Sequence, residues 1–271
     1  MILIVASTED VAGMNIAQQL IAHHNFEKVS EVFHQNPMYS RRVQNREVKL
    51  VFVNEEIVNT QFITKFFSPQ LLVFISKHRS VSGRPTLSVH TPGNLAEAEL
   101  GGIPRRVSIS PASAMRDALL EMATAKEETG LKYEVSYECT HHGPSLDVPT
   151  MFVELGSSPK QWRDQRAAEA VARAAMAAVS KQSRYTAVLG VGGPHYNAKF
   201  TRIALSTPTA FGHIVPKYAI SRVDAEMVKQ CVERTMEKVE SVILDWKGIK
   251  GADKEGLMAI LNEVGIPIEK A

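Results

Sequence analysis

The stretch YECTHHGPSLDVPTMFVELGS, residues 137–157, places His141, His142, Asp147 and Glu154 between two apolar segments. Imidazoles and carboxylates at this density suit three kinds of chemistry: metal ligation, proton transfer, or hydrogen-bonded packing within a core. Histidine recurs in the same setting elsewhere. His78 in SKHRS (76–80), His90 in VHTPGN (89–94) and His195 in GVGGPHYN (190–197) each follow a strand-like run. A lone histidine beside a strand is ordinarily a packing residue. Five in similar loops point to one shared crevice, because ligands in open α/β sheets bind outside the carboxyl ends of the strands. HTPGN, HHGP and GGPHY each join a histidine to proline and glycine. Such loops hold the backbone tightly and leave N–H groups, as around Gly143 and Gly193, free to receive an oxyanion or phosphate. His23, His24 and His34 sit at a helix end or in a polar loop and carry no assigned role.

Zinc takes three or four nitrogen, oxygen or sulfur ligands, and His142 and His195 with Glu154 or Asp147 supply suitable atoms. No HExxH spacing accompanies them, so a metal site rests on residue types alone. GVGGPHY lacks both the GxGxxG pattern and a terminal Lys-Ser/Thr, which excludes a dinucleotide fingerprint and a P-loop. Cys139 and Cys231 stand far apart with no CxxC partner, excluding a thiolate-rich zinc site and giving no disulfide framework. The opening MILIVAST is apolar but short and lacks a basic flank, unlike a secretion signal. No apolar run approaches the roughly 20 residues that span a bilayer. These features together describe a cytoplasmic protein with no membrane role and no evident obligate protein partner.

The elements that must position these residues alternate along the chain. ILIVAS opens into a helical pattern at TEDVAGMNIAQQLIAHH, and VKLVFVN and QLLVFIS are continuous apolar runs suited to strands buried on both faces. TLSVH, KYEVSYECT, TMFVELG and YTAVLGVGG read as further strands, and RIALSTPTAFGHIVP as one or two more. Helices are expected over 111–129, with Ser110 as cap and Gly130 as stop, and over 158–182, with Pro159 in its first turn. DAEMVKQCVERTMEKVESVILDW reads as one long helix, and DKEGLMAILNEVG as a shorter one. The alternation predicts an α/β fold, a three-layer sandwich with a mixed, mostly parallel sheet. At 271 residues, the chain suits one catalytic domain over 1–271, with a possible subdivision near residue 130.

Hydrophobic content of 44% and charged content of 22% are ordinary for a globular chain, and a net charge of +2 announces no polyanion by itself. Basic residues are nonetheless grouped. Lys77, Arg79 and Arg84 share one loop region, Arg105 and Arg106 another, and Lys160, Arg163, Arg166 and Arg173 fall near one helical face. Lys199 and Arg202 follow GGPHYN directly. Beside histidine loops, such residues can hold the phosphates of a nucleic acid.

Four blocks, STEDVAGMNI, SKHRS with LSVHTPGN, YECTHHGPSLDVPTMFVELGSSPKQW and GVGGPHYNAKFT, occur in an order that resembles the D-aminoacyl-tRNA deacylases of the archaeal and plant type. The likeness spans residues 7 to about 201. It implies hydrolysis of the ester joining a D-amino acid to the 3′ end of tRNA, a zinc requirement, and a fold similar to the nucleoside phosphorylase and peptidyl-tRNA hydrolase group. In that reading His142, His195, His90 and His78 are the candidates for activating water or binding metal. The metal set is His142, His195 and Glu154, and His141, Lys77, Arg79, Gly143, Gly193, Lys199 and Arg202 face the acceptor end of the aminoacyl-tRNA. The water-activating group stays open among a side chain, the metal and the neighbouring ribose hydroxyl. A phosphorylase, a zinc aminopeptidase or amidohydrolase, and a non-catalytic tRNA-binding module are the competing classes.

Overall fold

A computed structural model describes all of residues 1–271. Its strands divide between two sheets, where one was expected. The first forms from β1 (Ile2–Ser7), β2 (Glu27–Phe33), β3 (Asn36–Val43), β4 (Arg46–Val53), β5 (Leu72–Arg79), β6 (Thr86–His90), β9 (Glu134–Tyr137) and β10 (Thr150–Ser157). Their spatial order is β2-β3-β4-β1-β5-β10-β6-β9. The pairs β4–β1, β1–β5, β5–β10 and β6–β9 are parallel, and the others antiparallel. The ribbon β7 (Gly93–Asn94) and β8 (Arg106–Val107) stands apart. The second sheet joins β11 (Thr186–Val191), β12 (Thr209–Val215), β13 (Val239–Leu244) and β14 (Ile268–Lys270), all parallel, in the order β12-β11-β13-β14. The result is an α/β architecture whose mixed, largely parallel sheet is flanked by helices.

Helices α1 (Val11–His23), α2 (Ala112–Thr129) and α4 (Gln165–Ser180) bury alanine and branched aliphatic residues against one face of the first sheet, in one cluster with Val73, Ile75, Leu87, Val89, Val153 and Leu155. The helix expected over 158–182 is broken into α3 (Pro159–Trp162) and α4, because the Asp164 side chain accepts from the N–H groups of Arg166 and Ala167 and starts a new helix. Gly130 ends α2 in the left-handed region as expected, but Ser110 does not cap it. The N–H groups of Ala112 and Ser113 instead donate to the carboxylate of Glu237, a charge that also complements the helix dipole.

Residues 202–216 hold a helix and a strand: α5 (Ala198–Ser206), capped by Asn197, ends before Pro208, and β12 follows. The long helix expected over 224–246 stops early. Helix α6 (Ala225–Glu233) is followed by strand β13, whose β-branched Val239, Val242 and Ile243 pack between β11 and β14. Helix α7 (Gly251–Val264) ends at a left-handed Gly265. No helix is long and apolar enough to cross a membrane.

Candidate active site

Side chains on a strand alternate between faces, and four neighbouring strands use this alternation in the same way. On one face Val73, Ile75, Met151, Val153, Leu155, Leu87, Val89 and Tyr137 join the helix-covered core. The opposite face carries Ser76 and His78 on β5, Glu154 on β10, Ser88 and His90 on β6, and Ser136 with Glu138 at the end of β9. All seven are buried. A buried polar face is costly unless its groups pair with one another or with a ligand. The five histidines therefore meet over this face rather than along one carboxyl edge as the loop pattern suggested. The reason is direction: β6 runs antiparallel to β10 and places His90 beside Phe152, in the interior of the sheet.

The second sheet completes the cleft. Its β11 delivers residues 195–197 alongside the end of β9, where the Cys139 N–H donates to the His195 carbonyl and the Asn197 N–H to that of Tyr137. The sharp turn before them needs Gly192 and Gly193, at φ of 105° and 75°. A Cβ on Gly193 would also stand 2.5 Å from Asn197 Nδ2, displacing the cap of α5.

At the centre is Glu138, which is fully buried. His195 Nε2 lies 2.8 Å from Glu138 Oε2, and His78 Nδ1 lies 3.1 Å from Oε1 and 3.2 Å from Glu154 Oε2. Ser76 donates to the other oxygen of Glu154 at 2.7 Å, and the Tyr196 hydroxyl meets His78 Nε2. Burial opposes charge on His78, yet the two carboxylates outweigh it and raise its pKa to about 10. Burial likewise opposes charge on His195, and its contacts with Cys139 and Glu138 raise its pKa to about 10. Both carboxylates resist burial and are held below their usual range, Glu138 chiefly by His78 and His195, Glu154 chiefly by His78. Two carboxylates and two imidazoles thus support one another's charge in one network, buried except for the partly exposed His195. The Tyr218 hydroxyl lies 3.2 Å from His195 Nδ1 and 3.3 Å from Cys139 Sγ.

The remaining histidines behave differently. Burial lowers the pKa of His90 to about 4 and pushes those of His141 and His142 below the usual value, so all three are neutral near pH 7. His141 Nδ1 donates to the Cys139 carbonyl at 2.8 Å and His142 Nδ1 to that of Gly143 at 2.7 Å, leaving each Nε2 as the lone-pair donor, that of His141 3.7 Å from Glu138 Oε2. His90 is buried with no partner for either ring nitrogen, stacked at 4.9 Å on Phe152 and 4.3 Å from the His141 ring. Neutral imidazoles, fixed through Nδ1 by backbone carbonyls, are what a metal ion requires of histidine ligands. Three groups place their ligand atoms within 4.8 Å of one another: His90–His141–His142, Cys139–His141–His195 and His78–Glu138–Glu154. The set expected from sequence, His142 with His195 and Glu154, is not one of them; each of its members belongs to a different group.

Lys77 and Arg79 line the mouth of the cleft, and the Lys77 N–H donates to the buried Asp10. Asp147 does not join the site: it pairs with Arg106 at 2.6 Å and Arg234 at 2.7 Å on the surface. Lys199 is tied to Asp245 at 2.6 Å, and Arg202 is exposed on α5, so neither lines the cleft. Arg105 pairs with Asp224, Arg166 with the Thr129 carbonyl, and Arg173 with Glu121 and Glu128, leaving these as structural contacts. Glu138, Tyr196, Tyr218 and Ser76 were not singled out from sequence. For Ser76 and Glu138 the signal was strand alternation, which puts Ser76 with His78, Ser88 with His90 and Ser136 with Glu138 on one face; Tyr196 and Tyr218 lie outside these strands and carried no such signal.

The fold and this face define an α/β enzyme that can combine neutral, ligand-ready imidazoles with protonated ones in a single cleft. A family model described as D-aminoacyl-tRNA deacylase matches residues 65–269. A D-aminoacyl-tRNA deacylase of Pyrococcus furiosus is 36% identical over 96% of both chains, and one of Methanosarcina acetivorans 35% identical over 99% of this chain and 92% of its own. A crystal structure of a conserved protein of unknown function superposes with a TM-score of 0.87 at 29% identity, covering 100% of this chain and 95% of that one. The chain belongs to the D-aminoacyl-tRNA deacylase family.

Proposed function

We propose that this protein hydrolyses the ester between a D-amino acid and the 3′ end of tRNA, freeing the amino acid and recycling the mischarged tRNA. The observation that carries this reading is the buried pairing of the two histidine classes in one cleft of a family member. Hydrolysis of an ester needs an activated water, a stabilised oxyanion and a proton for the departing ribose oxygen. His142 and His141, neutral and with Nδ1 held by backbone carbonyls, suit water activation in one of two ways: as bases through Nε2, or as ligands whose Nε2 holds the metal that activates the water. His78 and His195, kept protonated by Glu138 and Glu154, suit charge stabilisation and proton donation rather than the role of base. Lys77 and Arg79 stand where the acceptor-end phosphates would approach. Residues 1–271 act as one catalytic unit in this reading, since the cleft takes side chains from both sheets.

The donor chemistry fits zinc. His90, His141 and His142 would hold it, and the unpartnered ring nitrogens of His90 are the feature that calls for a ligand. Bound zinc supplies a Lewis acid and lowers the pKa of water to about 7. A cytoplasmic location goes with this reading, because a tRNA substrate is used there and the buried, unpaired Cys139 and Cys231 suit a reducing compartment. Single-turnover deacylation of matched D- and L-tyrosyl-tRNA tests the activity: release from the D ester alone is expected, and release from neither ester would overturn the reading.

A further inference from the structure

His141 and His142 form a partition. A cavity of about 380 Å³ opens on one side, towards Lys77, Arg79 and Val58. A smaller one of about 200 Å³ opens on the other, towards Leu95, Ala96, Glu99 and Tyr218. Only Leu100, His141 and His142 line both. The substrate of the proposed reaction has the same layout, two unequal parts joined at the bond to be cut.

The geometry points to a division of the substrate at these histidines, with the terminal nucleoside in the larger cavity and the aminoacyl side chain in the smaller. This rests on the deacylase reading above. Size favours the assignment, because a nucleoside exceeds any amino-acid side chain. Charge favours it too. The larger cavity carries Lys77 and Arg79 at its mouth, where the phosphate chain must leave, and its exposed Glu9 and Glu56 are acceptors suited to a ribose hydroxyl. In the smaller cavity Glu97 is neutralised by Arg222, while Glu99 is free to face a protonated α-amino group. Leu95, Ala96 and the exposed faces of Leu100 and Tyr218 supply the apolar surface a side chain needs. Ala96 is therefore a specificity-determining position, and Val58 limits the nucleoside side.

The test uses two substitutions at partly exposed positions, Ala96→Trp and Val58→Trp, with D-tyrosyl- and D-alanyl-tRNA as the two esters. Ala96→Trp is expected to lower kcat/KM for the tyrosyl ester about tenfold to a hundredfold and to leave the alanyl ester within about threefold. Retained alanyl turnover also reports an intact fold. Val58→Trp is expected to slow both esters alike. Equal losses in Ala96→Trp, or a selective loss of the tyrosyl ester in Val58→Trp, would overturn the assignment. A wild-type protein that cleaves neither ester would instead mark failure of the deacylase reading itself.

Discussion

Glu138 Oε2 accepts from His195 Nε2 at 2.8 Å, the carboxylate fully buried and the imidazole partly exposed. Because the second oxygen of Glu138 faces His78, one carboxylate sustains the protonated state of two imidazoles. Glu138→Gln keeps the shape and removes that support. The His195 pKa should fall below about 10 by the share that Glu138 supplies beside Cys139, with kcat reduced about 10²–10⁴-fold, the usual worth of a lost acid–base group. Removing one partner of a buried ion network also costs roughly 3–5 kcal/mol. NMR titration of the His195 ring decides the matter: an unchanged midpoint would show that Glu138 does not hold the proton.

This network marks the boundary of what the sequence discloses. The continuous apolar strands and the stop at Gly130 are local signals, and the structure uses them as read; the histidines come together, but not along the single edge that their loops suggested. Glu138 lay inside the quoted YECTHH yet looked like an ordinary strand residue, because its value comes from strands that are distant in sequence. Strand direction carries no local signature, so His90 was expected at a carboxyl edge and lies within the sheet. VESVIL can satisfy helical or extended spacing, and only its place between two parallel neighbours decides. The cap on α2 is similarly remote, since Glu237 comes from 124 residues beyond Ser113.

The turn that aims His142 leaves no room for a side chain at Gly143. A Cβ there would stand 2.3 Å from Gly102 N and 2.7 Å from the Val58 carbonyl oxygen, both backbone atoms. His142 already sits at φ 42°, a region costly for a residue with a Cβ, and its Nδ1–H depends on the Gly143 carbonyl. Gly143→Ala should therefore move the ring. We expect a loss of about 1–3 kcal/mol in stability and about 10²-fold in kcat. Urea unfolding with single-turnover rates checks both, and near-wild-type rates would show that the loop tolerates the shift.

His213 gives the protein an acid limit separate from catalysis. It is fully buried in β12 between the Thr140 hydroxyl and the Arg234 carbonyl, and burial lowers its pKa to about 4. The unfolded chain binds a proton near pH 6.5, while the folded one resists until about 4. Its contribution to stability is thus complete above pH 6.5 and is lost as pH falls towards 4, at about 1.4 kcal/mol per pH unit. His213→Gln removes this term. Between pH 7 and 4.5 the wild type should lose roughly 2–3 kcal/mol more than the variant by urea unfolding; parallel losses would refute the assignment.

The proposed metal site is tested by two ligand sets that differ in their neighbours. His90, His141 and His142 have converging ligand atoms, whereas His195 and Glu154 are each committed to another partner within the ion network. If the three neutral histidines hold zinc, His90→Ala and His142→Ala should each abolish tight binding measured by metal analysis after dialysis. Glu154→Gln should keep the metal while weakening the His78 network. Chelation of the wild type should stop turnover, and zinc should restore it. Retention of zinc by His90→Ala with its loss in Glu154→Gln would transfer the site to the carboxylate side of the cleft, because the ligand set there would then have to draw His78 out of its ion pairs.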